Sequence, residues 1–229
     1  MNEWVNITVE LFEVLPVTLE IMVLSSFFAL VLGLLLALAK LSKNPLLRLL
    51  VTFYVSFMRC TPTLIQLYLF FYGLPLLTKL ILKVDVNDWP PEIFAISAFS
   101  LHCAAYLSEV IRAAYLAVGR GQQEAAYSVG MSNFQALRRI ILPQAFGVAL
   151  PNISNNLIIL LKETSLAFSI GITDLMGKVN VISGATQGTN QLELYIVISL
   201  IYWGLCILIE TGSGFLENVY TRGHKGIAG

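Results

Sequence analysis

Five ionisable side chains, Arg59, His102, Glu109, Lys162 and Glu163, stand inside stretches that are otherwise strongly apolar. On insertion scales a charge at the centre of a bilayer costs ~2.5–3.5 kcal/mol or more, so such groups usually face a water-filled cavity or a partner charge. A zwitterionic solute would offer partners of both signs. Arg59 or Lys162 suits a carboxylate, while Glu109 or Glu163 suits an ammonium group or a cationic side chain. His102, Tyr106 and Glu109 are spaced i, i+4 and i+7 and so share one helical face, and Thr164 and Ser165 add hydroxyls. Each has a purely structural alternative. Arg59 and Glu109 can pair across helices, His102 can be a buried hydrogen-bonded residue, and Arg112 can snorkel to an interface.

The absent chemistry narrows the field. No GxxxxGK[ST] loop is present to hold nucleotide phosphates. The approach at Gly171 to Gly177-Lys178 has its glycines one position too far apart and places Val179 where a Mg²⁺-binding hydroxyl is needed. HExxH, GxSxG and paired catalytic carboxylates are also missing. Cys60, Cys103 and Cys206 lie far apart with no metal-ligand spacing, and they read as small core residues. The expectation is a chain that is not an enzyme and binds no metal or cofactor.

The elements that position these residues are membrane helices. Of 229 residues, 57% are hydrophobic and only 12% charged, against about 25% charged in soluble domains. The mean hydropathy is +0.77. Fourteen Lys and Arg balance fourteen Asp and Glu, which removes the case for a nucleic-acid binder. Apolar runs long enough to cross a bilayer predict five spans, at about 14–39, 46–77, 93–118, 145–172 and 194–216, in a single all-α integral membrane domain covering 1–229. The second should be broken or kinked near Arg59-Cys60-Thr61-Pro62-Thr63, because proline removes a backbone hydrogen bond. The N-terminal segment has Glu3, Glu10 and Glu13 and no Lys or Arg, unlike a signal peptide, so no cleaved signal is expected. Nine Lys or Arg fall on one side of the five-span topology and three on the other, with Arg59 and Lys162 inside. The positive-inside rule then places the N-terminus outside and the C-terminus in the cytoplasm. Gly33, Ala37, Ala149 and Gly204 are small enough for close helix packing.

Residues of about 119–144, between the third and fourth spans, are too polar for the bilayer yet patterned. Gln122 to Val129 reads as one short helix, with Gly130 supplying a left-handed end. Ser132 and Gln135 then form a capping box that opens a second helix running to Pro143. On the residues alone, an interfacial amphipathic hairpin explains this equally well.

The spacing of Glu124-Ala125-Ala126, Gly130, Ile140 and Leu142-Pro143 resembles the EAA loop of permease subunits in ATP-binding-cassette (ABC) importers. Three further stretches are similar to the polar amino acid permeases among them. They are Arg59-Cys60-Thr61-Pro62 through Gln66, then Ala105-Tyr106 through Glu109 and Arg112, and Asn155-Asn156 through Lys162-Glu163-Thr164-Ser165-Leu166. Two departures are Cys60 in place of glycine and Thr63 in place of an apolar residue. The resemblance implies a five-helix type I permease in the cell (plasma or inner) membrane that moves a polar amino acid by alternating access. ATP and Mg would be bound by a separate ATPase subunit. Glu124, Ala125, Ala126, Gly130, Leu142 and Pro143 would couple to that ATPase. Arg59, Thr61, Gln66, His102, Tyr106, Glu109, Lys162, Glu163, Thr164 and Ser165 would line the substrate path. The implied partners are the ATPase, a second permease copy or paralogue, an extracytoplasmic substrate-binding protein, the amino acid and the lipid bilayer. An ion-coupled carrier or channel also explains intramembrane charge, but has no use for a docking helix. A membrane scaffold does not account for the polar stripe.

Overall fold

The computed structural model describes residues 3–222, although the side chains of Glu3, Thr221 and Arg222 are not among those described. Lys225, which entered the charge count, lies outside this range. Among the described residues there are helices and no strands. Five helical stretches are long and apolar enough to cross a membrane: Trp4–Leu41, Thr63–Leu82, Pro91–Ala117, Asn133–Ile170 and Gln191–Tyr220.

The first helix, α1 (Glu3–Leu41), begins well before the predicted position 14. At 39 residues it is about 58 Å long, twice what the hydrocarbon core needs. Its early turns are held by tertiary packing: Ile7 and Leu11 are buried against Leu175, Val179, Leu194, Val197 and Ile198, and Glu10 pairs with Lys178 at 3.1 Å.

The predicted second span is two separate pieces. Pro45 at N1 and the Asn44 side chain, which accepts from the Leu46 and Leu47 amides, start α2 (Pro45–Cys60). Thr61 and Pro62 are extended, and α3 (Thr63–Tyr68) follows. The span-length piece is therefore Thr63–Leu82, ending in α4 (Leu74–Leu82), while α2 is about 24 Å long, too short to cross. Between α3 and α4 a π-helical turn occupies Leu69–Gly73, two residues before Pro75. Proline has no N–H to donate to the preceding turn, and the wider π-turn absorbs that missing bond.

Next, α5 (Pro91–Ala117) agrees closely with its expected bounds and forms the hub. Within its apolar stretch 61% of residues are buried inside the protein, against 17% in the last helix. Gly33 of α1 meets it so closely that a Cβ there would lie 2.9 Å from the Leu107 Cβ. After α5 come α6 (Arg120–Ser128) and α7 (Asn133–Ala136).

The second loop helix does not stop at Pro143. A π-turn over Leu137–Ile141 again sits two residues before the proline, and the chain continues as α8 (Leu142–Glu163). The fourth span thus starts at Asn133 rather than 145. A 3₁₀ segment, Thr164–Ile170, finishes it, and Gly171, at φ +89°, turns the chain. Sequence reading missed α9 (Leu175–Ala185), which is N-capped by Asp174. Last is α10 (Gln191–Arg222), longer at both ends than expected.

Two ends of the bundle follow from the contacts. The end of α1, the end of α5, α6, the start of α8 and the end of α10 lie together, as Lys40–Glu109, Gln144–Gln122 and the Phe146–Tyr220 ring contact show. The start of α1 lies at the other end with α9. Gly33 is packed as its size suggested, whereas a Cβ at Gly204 would meet nothing within 4 Å.

Candidate functional site

The break between α2 and α3 leaves carbonyls without helical partners, and Gln66, only 1% exposed, supplies donors to them. Its Nε2 lies 2.8 Å from the Met58 carbonyl, 3.0 Å from that of Thr61 and 2.6 Å from the Thr61 hydroxyl. With the amide hydrogens committed there, Gln66 Oε1 is an acceptor, and His102 Nδ1, 2.9 Å away, donates to it. This fixes the His102 ring and turns Nε2 toward Glu163 Oε1 and Thr63 Oγ1, each at 3.4 Å. The Thr63 hydroxyl donates to Glu163 Oε1 at 2.8 Å. Three helices, α3, α5 and α8, thereby converge on one carboxylate.

A 140 Å³ cavity adjoins it, lined by His102, Cys103, Tyr106, Asn156, Ile159, Leu160 and Glu163. That is room for several waters or one small polar group. Tyr106 also stacks with His102, ring centroids 5.1 Å apart, and carries the exposed Arg59 guanidinium 5.4 Å from its ring centroid. Its hydroxyl donates to the Arg59 carbonyl at 3.4 Å. The arrangement can hold a cationic group at Glu163 against an aromatic wall, with a guanidinium nearby.

The other path candidates go elsewhere. Glu109 does not line the cavity: Oε1 bonds Lys40 of α1 and Oε2 bonds Arg112 Nε and Nη2 at 3.1 and 2.9 Å. Arg112, expected to snorkel, is thus an ion-pair partner, and Glu109 pairs with Lys40 instead of Arg59. Lys162 and Ser165 face away from this cavity, into a 520 Å³ groove with Tyr195, Tyr202 and Trp203. Adjacent residues diverge by about 100° on a helix, which separates Lys162 from Glu163. Thr164 is fully buried, its hydroxyl donating to the Leu161 carbonyl. Of the cysteines, Cys103 is buried but Cys60 is exposed, so the core reading fails at Cys60.

At the loop-bearing end, α6 presents Glu124 and Ala125 outward and buries Ala126. Gly130 adopts φ +80°, and the Met131 amide reaches back to the Ala126 carbonyl at 3.1 Å, closing the helix. The Ser132–Gln135 capping box is formed on both sides. Val129 and Phe134 are 71% and 69% exposed, leaving an apolar rim around α6. Leu142 and Pro143 occupy the first turn of α8, with Leu142 half exposed.

Two site features escaped sequence reading. Thr63 stood out there only as a departure from a pattern. Asp174 is fully buried with Oδ1 accepting from Gly177 N at 2.8 Å and Oδ2 without a partner. Burial pushes its carboxyl up to about 6. The signal available was an Asp three residues before a glycine at a helix start.

Comparison with known proteins adds an independent line. Residues 29–218 match the family described as "Binding-protein-dependent transport system inner membrane component". The chain is 45% identical over 196 residues to the L-cystine transport system permease protein TcyL of Bacillus subtilis (strain 168), covering 86% of this chain and 81% of that one. It is 39% identical to the probable amino-acid ABC transporter permease protein PatM of Vibrio harveyi, over 87% and 86% of the two chains. Among solved structures, "Crystal structure of an amino acid ABC transporter with histidines" superposes with a TM-score of 0.81 at 31% identity, covering 93% of this chain and 95% of that one.

Proposed function

Because this chain belongs to the family of binding-protein-dependent transport system inner membrane components, we propose that it is the membrane permease subunit of an ATP-driven importer for a polar amino acid. It sits as a multi-pass protein in the cell membrane. The observation that carries the mechanism is one continuous helical stretch, Asn133–Ile170, which stays helical through the π-turn before Pro143 and through Pro151. Its first turns support α6, with Ala126 of α6 and Ala136 and Ile141 of the stretch all buried there. Glu163 stands near its other end, 27 residues and about 40 Å away. A push on α6 is thereby delivered along one continuous helical stretch to the cavity.

The excess of Lys and Arg places the α6 end in the cytoplasm, where a partner ATPase binds and hydrolyses ATP with Mg. Exposed Glu124 and Ala125, with Val129 and Phe134 beside them, form the docking face. At the cavity, the substrate ammonium takes the position that the Thr63 hydroxyl holds at Glu163. The carboxylate never loses a partner during that exchange, so no bare buried charge arises. Arg59, stacked on Tyr106, meets the substrate carboxylate. A soluble binding protein delivers the amino acid at the outer face, and a second permease copy or paralogue completes the path, since five helices enclose it poorly.

The test is affinity purification of the tagged chain in detergent, with mass spectrometry of co-purifying proteins and ATPase assays against L-cystine, L-glutamine, L-arginine and L-histidine, each with its binding protein. Recovery of an ATPase stimulated by one of these supports the assignment. A chain that purifies alone and moves solute down an ion gradient in liposomes overturns it.

A further inference from the structure

We propose that Lys40, Glu109 and Arg112 form a clamp that makes the loop-side ends of α1 and α5 move as one body, so that displacement of α6 reaches α1 as well as α5. This rests on the importer reading above and assigns Glu109 a positioning role in place of substrate contact.

Close packing along α5 ends before the helix does. Up to Leu107, α5 is buried almost continuously, and Gly33 lets α1 approach it. From Glu109 to Ala117, only Ala114 is buried. Those last turns are nonetheless the ones that receive force, because α5 joins α6 through two extended residues, Val118 and Gly119. A helix end without lateral support would bend under such a load, and the α1–α5 contact would not feel it.

The clamp lies at that point. Glu109 is about 10 Å along the axis from His102 and about 12 Å from the end of α5. Both its oxygens are engaged, one by Lys40 in the last turn of α1 and the other by Arg112 one turn further along α5. Arg112 sets the carboxylate rotamer, and Lys40 draws α1 to it. The Lys40 side chain is only 10% exposed and that of Glu109 22%, so water screens the pair less than a surface bridge. Lys40 also stands in the last turn of α1, where a helix end favours positive charge.

The test uses the complex of this chain with its ATPase, in a background with Cys60, Cys103 and Cys206 replaced. Spin labels at exposed positions report two distances by pulsed electron resonance: L38C with F215C follows α1, and L116C with F215C follows α5. Each is measured without nucleotide and after trapping with MgATP and vanadate. Both distances should change in the parent. With K40M the α5 distance should still change while the α1 change shrinks about fivefold or more. K40R should restore it, and K40M/E109Q should be no worse than the more affected single variant. A simple loss of stability would diminish ATPase recovery and both distance changes together, and K40R would separate it from the clamp. Equal movement of α1 in K40M and parent overturns the clamp alone. A parent that recruits an ATPase but shows no nucleotide-driven change in either distance overturns the mechanical reading and the clamp with it.

Discussion

Replacing Gln66 by leucine isolates the polar staple beneath the α2–α3 break, because the two side chains are similar in size while leucine can neither donate nor accept. Gln66 is 1% exposed, so no water is at hand to take over its bonds. Four protein groups lose a partner, the Met58 carbonyl, the Thr61 carbonyl and hydroxyl, and His102 Nδ1, and they share at most three bonds because the amide has two hydrogens and one acceptor oxygen. Side-chain hydrogen bonds inside membrane proteins average about 0.6 kcal/mol and reach about 1.7, so Q66L should lose about 2–5 kcal/mol. Ile65, one position earlier and 50% exposed, serves as the control, and I65A should stay within about 0.5 kcal/mol of the parent. Reversible unfolding in mixed detergent micelles measures both. Because the staple also fixes the His102 ring, Q66L should weaken uptake in the fraction that remains folded. A Q66L protein as stable as I65A would refute the reasoning, showing that the break is held by α2 and α3 packing on α5 and not by the amide.

Three further outcomes are expected. In E163Q the amide oxygen can still accept from Thr63, so the fold should persist, while the lost charge should raise the KM for a transported amino acid about tenfold or more; an unchanged KM in proteoliposome uptake would remove Glu163 from the substrate path. G130V places a β-branched residue at φ +80°, where a Cβ meets nothing within 4 Å. The penalty is thus backbone strain alone, about 1–3 kcal/mol, and the variant should insert normally but lose ATP-driven uptake, with G130N retaining more; full uptake in G130V would contradict the lever account of α6. The Asp174 carboxyl, raised by burial to about 6 from an ordinary 3.8, binds its proton more tightly folded than unfolded. Its contribution to stability is therefore greatest below about pH 4 and is lost as pH rises through about 6, on the order of 2–3 kcal/mol. D174N, which keeps an oxygen for the Gly177 amide, should flatten the unfolding profile between pH 4.5 and 7.5, and a D174N profile with the parent's slope would assign the pH dependence to another group.

Much of this protein was legible in its sequence wherever a signal is local. Apolar runs led to the number of spans, since a bilayer demands about twenty such residues whatever they pack against, although the second was placed from position 46 and the structure starts it at Thr63. The capping box at Ser132 and the left-handed turn at Gly130 depend on residues within one helical turn, and both were readable without a fold. The proline at 62 announced a break for the same reason. Boundaries were less secure. α1 is helical well before the expected position 14 because α9 and α10 cover its early turns, and the helix through Pro143 continues because a π-turn absorbs the missing bond.

Only the tertiary structure decided which charge meets which. Glu109 and Glu163 looked equivalent as intramembrane carboxylates, yet one is tied to Lys40, 69 residues away, and the other receives the hydroxyl of Thr63, 100 residues away. Lys162 and Glu163 are neighbours in the chain but face different cavities. The Thr18 hydroxyl accepts from the Leu175 amide across 157 residues at the root of α9. Residue type fixes what a side chain is able to bond; its partner is set by helix rotation and by crossings such as the one at Gly33. Composition and periodicity determined that this chain lies in a membrane, while the path through it was decided by how α3, α5 and α8 pack.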